Sequence, residues 1–371
     1  MREWLLILCL GAAVASSTGA DEVCWVLFSD KGEAADADGL ARTSLSARCL
    51  ARRAKVRGEA ARLIDEEDLQ VSERYVEAVA ERGALIRHRS RWFNAVSVEA
   101  DRPVLDRLAA LPFVWGIRPI PRYVRSFPEP LRAGCGVPDY GAAEAQLAQI
   151  RVPYLHALGY TGSGVLVCLL DTGFYKDHES LRDLHLVAER DFVFGDGDTQ
   201  RDPANPQDYS DAHGTAVWSA LAGYRPGALV GPAHGASFLL AKTEDLRYEL
   251  PIEEDNWVAA IEWADSAGAD VVSSSLCYTI FDNGMGYTYG DLDGNTAMTT
   301  IAADRAAELG IAVVVAAGNY RGTSWGTIGT PADGDSVIAV GAVDASGAIG
   351  SFSSPGPTAD GRIKPEVCAR G

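Results

Sequence analysis

The 371-residue sequence carries a formal net charge of −18, is 47% hydrophobic and 23% charged, and contains seven cysteines. That length accommodates two or three domains and a sizeable core, so the fold does not depend on covalent staples. The acidity opposes binding to nucleic acid or anionic lipid, and no segment has the roughly twenty unbroken apolar residues of a membrane span, so neither nucleic acid nor a stable membrane anchor is expected as a partner.

Arg2, the apolar run from Trp4 to Val14 and the small residues up to Ala20 have the outline of a secretory signal peptide over residues 1–20, which predicts a secreted protein. Export permits disulfides. Cys9 leaves with the leader, and Cys24, Cys49, Cys135, Cys168, Cys277 and Cys368 allow fifteen full pairings, among which spacing does not choose. Cys168 lies in an apolar strand and is expected to be a buried free thiol. No C-x-x-C spacing suggests zinc.

Val23 to Phe28 reads as a first strand, ended by Ser29-Asp30-Lys31-Gly32. A helix follows from Ser44 to Leu63, whose Arg48, Arg52, Arg53, Lys55 and Arg57 read as a solvated charged face. After the acidic break Asp65 to Asp68, Ser72 and Glu73 open a second helix closed by Gly83. Ala84–Arg89 and Trp92–Val98 read as strands, Pro103 opens a helix with Val104, Leu105, Leu108 and Leu111 on one face, and Phe113–Ile120 reads as a last strand. This order predicts a small ferredoxin-like α+β domain over residues 21–121. Pro121, Pro128, Pro130 and Pro138 forbid a continuous helix beyond that last strand, and Arg122, Arg125 and Arg132 invite cleavage, so residues 122–140 read as a linker with a processing site.

Residues 151–371 hold 30 of the 51 acidic residues but only 13 of the 33 basic ones. Gly141–Gly159 reads as helical and Tyr160–Gly164 as a glycine turn. The apolar run Val165–Leu170 ends in Asp171-Thr172-Gly173, the pattern of a parallel strand buried on both faces with a carboxylate where α/β sheets place functional groups. Further strands are expected at Ser237–Ala241, Ala269–Ser273, Ile311–Ala317 and Ser336–Val343, with helices at His213–Ala222, Glu253–Gly268 and Asn295–Gly310. The alternation predicts an α/β domain with a doubly wound, mostly parallel sheet over residues 141–371.

A histidine opens one of these helices in Ser210-Asp211-Ala212-His213-Gly214-Thr215-Ala216-Val217, and both it and Asp171 are flanked by glycines that permit sharp turns. Alone, each has an ordinary structural explanation as a packed histidine or a capping aspartate. Together they suggest an imidazole with a carboxylate behind it.

With Val167-Cys168-Leu169-Leu170-Asp171-Thr172-Gly173, His213-Gly214-Thr215-Ala216, Ser275-Leu276, Ala316-Ala317-Gly318-Asn319, Val340-Gly341-Ala342-Val343, Phe352-Ser353-Ser354 and Lys364-Pro365-Glu366-Val367 in this order, residues 141–371 resemble the subtilisin-like serine proteases. The resemblance implies His213 as general base, Asp171 as the residue orienting it, Asn319 as oxyanion donor, and Ser275, Leu276 and Gly318 as substrate-binding backbone. It implies peptide or protein substrates, no required cofactor, and residues 21–121 as an inhibitory prodomain acting within its own chain.

The family's nucleophilic serine lies in a Gly-Thr-Ser step after the Lys-Pro-Glu-Val segment; the sequence stops at Gly371, so the chain is expected to be a fragment that is inactive as it stands. Gly322-Thr323-Ser324 precedes that segment and leads into poor helix material, so it reads as a substrate-pocket loop. Cys277 stands where the family commonly has glycine and is expected to narrow the cleft, Arg370 stands where proline is common, and Pro355 stiffens its segment. Asp196, Asp198, Asp202 and Asp208 form either a structural calcium loop or a solvated acidic one. The alternative functional reading is a catalytically inactive relative that binds peptides through the same cleft; a branch using Glu in place of His is disfavoured by His213 in its Gly-Thr setting.

Overall fold

A computed structural model describes residues 22–32, 44–58, 62–120, 140–201, 211–282 and 284–371. The leader, Cys135, Asp202, Asp208 and all of the linker except Tyr140 lie outside these residues. The first unit runs β1 (Glu22–Phe28), α1 (Ala47–Arg57), α2 (Glu73–Ala80), β2 (Leu85–Ser90), β3 (Ala95–Ala100), α3 (Arg102–Ala109) and β4 (Val114–Ile120). Its strands form one antiparallel sheet in the order β2-β3-β1-β4, the ferredoxin-like arrangement. Local chemistry sets the helix starts: Ser46 and Asp101 accept the amides of Cys49 and Val104, and Pro103 occupies the first turn of α3. Val76, Val79, Leu105 and Leu108 then pack on Val26, Val96 and Val98.

Two boundaries differ from the sequence reading. The Trp92–Val98 strand begins only at Ala95, because Asn94 adopts φ +49° and Trp92 leaves the ladder to enter the core of the second unit. Helix α1 ends at Arg57 before Gly58 at φ +87°, rather than at Leu63.

The second unit contains α4 (Glu144–Gln149), α5 (Val152–Ala157), β5 (Leu166–Asp171), β6 (His185–Asp191), α6 (Ala212–Ala222), β7 (Tyr224–Arg225), β8 (Leu229–Val230), β9 (Ser237–Lys242), α7 (Ile252–Ala267), β10 (Val271–Ser274), α8 (Met298–Glu308), β11 (Ala312–Ala316), β12 (Ile338–Val343) and β13 (Val367–Arg370). The helix expected over Gly141–Gly159 is two helices. Pro153 lacks a donor and clashes with a continuous turn, and Arg151 takes φ +60° at the break.

Seven parallel strands form the central sheet in the order β13-β12-β11-β10-β5-β9-β6. The period-2 geometry of β5 explains its unbroken apolar run. Leu166, Cys168 and Leu170 face the α7 and α8 side, while Val167 and Leu169 face α6 with Trp218 and Phe238. The fold is therefore α/β and doubly wound, with a small antiparallel domain ahead of it. The sequence reading had no β6 and no β13. Both are edge strands, with charges such as Glu189 and Arg190 in β6 that break the apolar pattern of a central strand.

The charged face of α1 is solvated only in part: Arg48 and Lys55 are exposed, but Arg52 and Arg53 are not. Arg52 and Arg53 are 5% and 0% exposed and, with Arg91, they converge on the buried Asp265 of α7. Arg53 also binds Asp68 at 2.6 Å, and Arg52 donates to the Leu309 and Ala269 carbonyls near the C-terminal ends of α8 and α7. Glu262 accepts Ser90 Oγ and the Arg91 amide, Arg87 reaches Asp255 at 3.3 Å, and Arg305 of α8 holds Asp65 at 2.7 Å. Charge that reads as a solubility device in sequence is an interface in the fold, because α7 supplies the matching carboxylates.

Among the described residues all five cysteines, Cys24, Cys49, Cys168, Cys277 and Cys368, are free thiols. Cys168 is fully buried, and burial pushes its thiol well above the ordinary value.

Candidate active site

The site lies at the C-terminal ends of the central strands, around the point where the strand order turns about β5. Asp171, the last residue of β5, is fully buried, and its Oδ1 accepts the Thr172 amide at 2.7 Å. His213, on the first turn of α6, places Nδ1 2.7 Å from the same oxygen. A carboxylate can only accept, so the imidazole proton sits on Nδ1 and Nε2 presents its lone pair. The imidazole is about half exposed, at 52%. The hydrogen bond to Asp171, together with that residue's charge, raises the pKa of His213 above its ordinary 6.5, against an opposing effect of partial burial.

The residues after His213 explain how the pair meets. A side chain at Gly214 would place Cβ 2.2 Å from the Gly173 carbonyl and 3.1 Å from Asp171 Cβ, so only glycine lets α6 approach the end of β5. Thr215 Oγ1 accepts the Tyr175 amide at 2.7 Å and fixes the loop leaving β5. Trp218 anchors the helix beneath, edge-on to Phe174 and Phe238.

A cleft of about 400 Å³ opens beside this pair, and its walls include Thr172, His213, Ser275, Leu276, Cys277, Gly318, Asn319 and Tyr320. The structure thus brings all the expected site residues other than Asp171 to one cavity, with Asp171 behind His213. Asn319 is exposed and follows β11. Its loop is clamped: Ser354 donates its amide to the Gly318 carbonyl at 3.0 Å, and Ser354 Oγ accepts the Tyr320 amide at 2.9 Å. Gly318 takes φ +106°, and a Cβ there would meet the Tyr320 ring at 2.8 Å. Tyr320 donates its hydroxyl to the Cys277 carbonyl at 3.1 Å, which ties the Asn319 loop to the Ser275–Cys277 segment beyond β10. Ser324 lies in an exposed turn and is not among the lining residues.

Sequence reading missed the acidic wall of the cleft, made by Glu244, Glu249 and Glu253 with Leu246 and Tyr248. Glu244 accepts Tyr278 Oη at 2.7 Å and Thr243 Oγ1 at 2.9 Å, and Glu253 accepts the amides of Asp245 and Leu250 at 2.9 and 2.8 Å. A signal was present: Glu244 comes three residues after the β9 apolar run ends at Ala241, where a strand end places it near the same edge of the sheet as Asp171.

The acidic loop proposed for calcium does not fit that ion in its described part. Asp198 is occupied by the Lys176 ammonium at 2.6 Å and the Gln200 amide at 2.9 Å, whereas calcium takes six to eight oxygens. Among the described residues no group of three or more His, Cys, Asp or Glu is arranged to hold a metal. Nor is any described helix long and apolar enough to cross a membrane.

Comparison with known proteins agrees with this geometry. Residues 162–371, more than half of the chain, match the subtilase family, peptidase S8, and residues 23–129 match the peptidase S8 propeptide domain of Bacteroidota. Subtilisin E of Bacillus subtilis is 30% identical over 290 residues, covering 76% of this chain and 65% of the relative. Subtilisin DY of Bacillus licheniformis is 35% identical over 209 residues, covering 56% and 66%, and the minor extracellular protease Vpr of Bacillus subtilis is 30% identical over 197 residues, covering 51% and 22%. The strand order, the Asp171–His213 pair in its cleft and these matches together make the chain a member of the subtilase family, with an S8 propeptide domain ahead of its protease domain.

Proposed function

We propose that the complete gene product is a secreted serine endopeptidase made as a precursor, with residues 1–20 as its leader, 21–121 as its inhibitory prodomain and 122–140 as the segment cut during maturation. The observation that carries the reading is the 2.7 Å contact between His213 Nδ1 and Asp171 Oδ1 at the mouth of a cleft that Asn319 also lines. In this reading His213 Nε2 takes the serine proton as the hydroxyl attacks the peptide carbonyl. Asp171 fixes the tautomer and stabilises the imidazolium. The Asn319 amide donates to the tetrahedral oxyanion, and His213 then returns the proton to the leaving amine; water completes the cycle by the same exchange. Ser275, Leu276 and Gly318 supply backbone for an extended substrate. No cofactor is needed for any of these transfers.

The nucleophile in this reading is the serine of the Gly-Thr-Ser step that the family carries after its Lys-Pro-Glu-Val segment, which is Lys364 to Val367 here. The test is labelling of the complete product with a serine-directed fluorophosphonate, with peptide hydrolysis as the second readout. Both are expected, and both should disappear in His213→Ala; the 371-residue chain alone should hydrolyse nothing. Peptide binding without labelling or turnover would replace the enzyme by an inactive peptide-binding relative.

A further inference from the structure

Three backbone segments meet beside Asn319, and the space between them is filled by the protein itself. Strands β10 and β11 are parallel neighbours with Ser274 opposite Val315, so the segments that leave them, Ser275–Cys277 and Gly318–Tyr320, run on into the cleft together. A third segment closes the floor. Tyr278 and Thr330 exchange both backbone hydrogen bonds, at 2.8 and 3.0 Å, and the Gly329 amide donates to the Ala317 carbonyl at 3.4 Å.

Two side chains occupy the recess so formed. A Cβ at the buried Gly329 would stand 2.4 Å from Cys277 Sγ, so the thiol sits directly over that glycine, and Sγ lies 3.8 Å from the Ala317 carbonyl across the gap. Tyr320 spans the gap from the other side. Its amide is held by Ser354 Oγ at 2.9 Å, its ring lies where a Cβ on Gly318 would meet it at 2.8 Å, and its hydroxyl donates to the Cys277 carbonyl at 3.1 Å. Cys277 and Tyr320 line the cleft, whereas Gly329 behind them does not.

The filling falls where a substrate places a side chain. In the reaction proposed above, the carbonyl before the scissile bond turns its oxygen to Asn319, and its backbone lies along Ser275, Leu276 and Gly318. Gly318 and Tyr320 flank Asn319 in sequence, so the side chain of that residue enters the gap between the two segments. A large one would have to push the ring off its hydrogen bonds or drive the thiol into Gly329, and in a tight pocket a single methylene already discriminates by roughly 10–200-fold.

We infer that the cleft admits only a small residue, glycine, alanine or serine, on the acyl side of the scissile bond, and that Cys277 and Tyr320 set this limit. The inference rests on the peptide-cleft reading above and names its substrate class. Its test uses fluorogenic peptides that differ only in alanine, leucine or phenylalanine at that position. For the complete processed product, kcat/KM should be at least about tenfold higher for alanine than for either larger residue, and in the double variant Cys277→Gly with Tyr320→Ala the phenylalanine peptide should gain on the alanine peptide by at least about tenfold. A smaller ratio in the unmodified protein, or a preference for leucine or phenylalanine, overturns the inference and needs no variant to fold. A double variant that hydrolyses the alanine peptide with the ratio unchanged overturns the assignment to these two residues. If no peptide is hydrolysed, the enzyme reading fails separately. Fluorescence anisotropy with peptides ending in alanine or phenylalanine then decides: binding of the alanine peptide at least about tenfold tighter sustains the size limit, and any smaller difference overturns it.

Discussion

Two regions of this molecule bury carboxylates, and they treat them in opposite ways. Where the propeptide domain meets α7, Asp265 gathers Arg52, Arg53 and Arg91, and Asp68 takes Arg53 in turn. In the cleft, Asp171 faces one imidazole and an amide, while Glu244 and Glu253 face hydroxyls and amides. A buried carboxylate matched by guanidinium groups locks its partner in place. Glu244 and Glu253, held by neutral donors, are instead pushed towards their protonated forms by burial. The first arrangement builds an interface and the second builds a site.

The largest expected effect breaks the cleft and leaves the interface alone. His213→Ala should lower kcat of the complete product by about a millionfold, the loss measured in subtilisin itself. That corresponds to about 8 kcal/mol of transition-state stabilisation. Thermal unfolding of the uncleaved precursor should change little, since the imidazole is half exposed. Steady-state kinetics beside calorimetry on one preparation reads both, and a large fall in unfolding temperature would mean that His213 belongs to the structural class instead.

The converse variant is Asp265→Ala. Removing this carboxylate leaves three guanidinium groups around an empty position, and breaking a buried ion pair costs about 3–5 kcal/mol. The precursor should unfold at correspondingly lower denaturant, and the separated propeptide domain should bind the protease domain several hundredfold more weakly. Calorimetric titration checks the latter. Unchanged binding would show that the arginine cluster is incidental to docking.

Gly214→Ala tests the joint between β5 and α6. The new Cβ cannot coexist with the Gly173 carbonyl at 2.2 Å, so the start of α6 must shift. Misplacement of a catalytic group by about 1 Å costs roughly a hundredfold in rate. We expect that loss in kcat/KM, with smaller loss of stability.

These contrasts also mark what the sequence makes legible. The central strands are readable because burial on both faces leaves an unbroken apolar run, as in Leu166–Leu170, and Asp171 and His213 are readable because each sits at an element end beside glycine. Arg52 and Arg53 of α1 are misread, where Arg48 and Lys55 are not, because an arginine series looks the same whether water or Asp265 lies opposite; the partner is more than two hundred residues away in sequence. The wall at Glu244 is obscured for the same reason. Its meaning comes from Tyr278 and Glu253, which no local pattern joins to it. Edge strands β6 and β13 lack the two-sided burial on which the pattern depends.

The smallest expected effect is on pH dependence, and its sign separates the two uses of one hydrogen bond. Asp171 raises the pKa of His213 above 6.5 in the folded protein. The stabilisation from this contact is therefore fully present below the unfolded value and is lost as pH rises through the folded one. Catalysis runs the other way, because only the neutral imidazole can accept the serine proton, so kcat/KM should climb over the same interval in which the contact's contribution to stability declines. The acid limb of the profile should have its midpoint above 6.5 in the unmodified protein. In Asp171→Asn the hydrogen bond to a charged acceptor and the opposite charge are both gone while the effect of burial persists, so the midpoint of the residual activity should move down. A profile unmoved by Asp171→Asn would assign that limb to another group in the cleft, with Glu244, raised by burial to about 8, the first to examine.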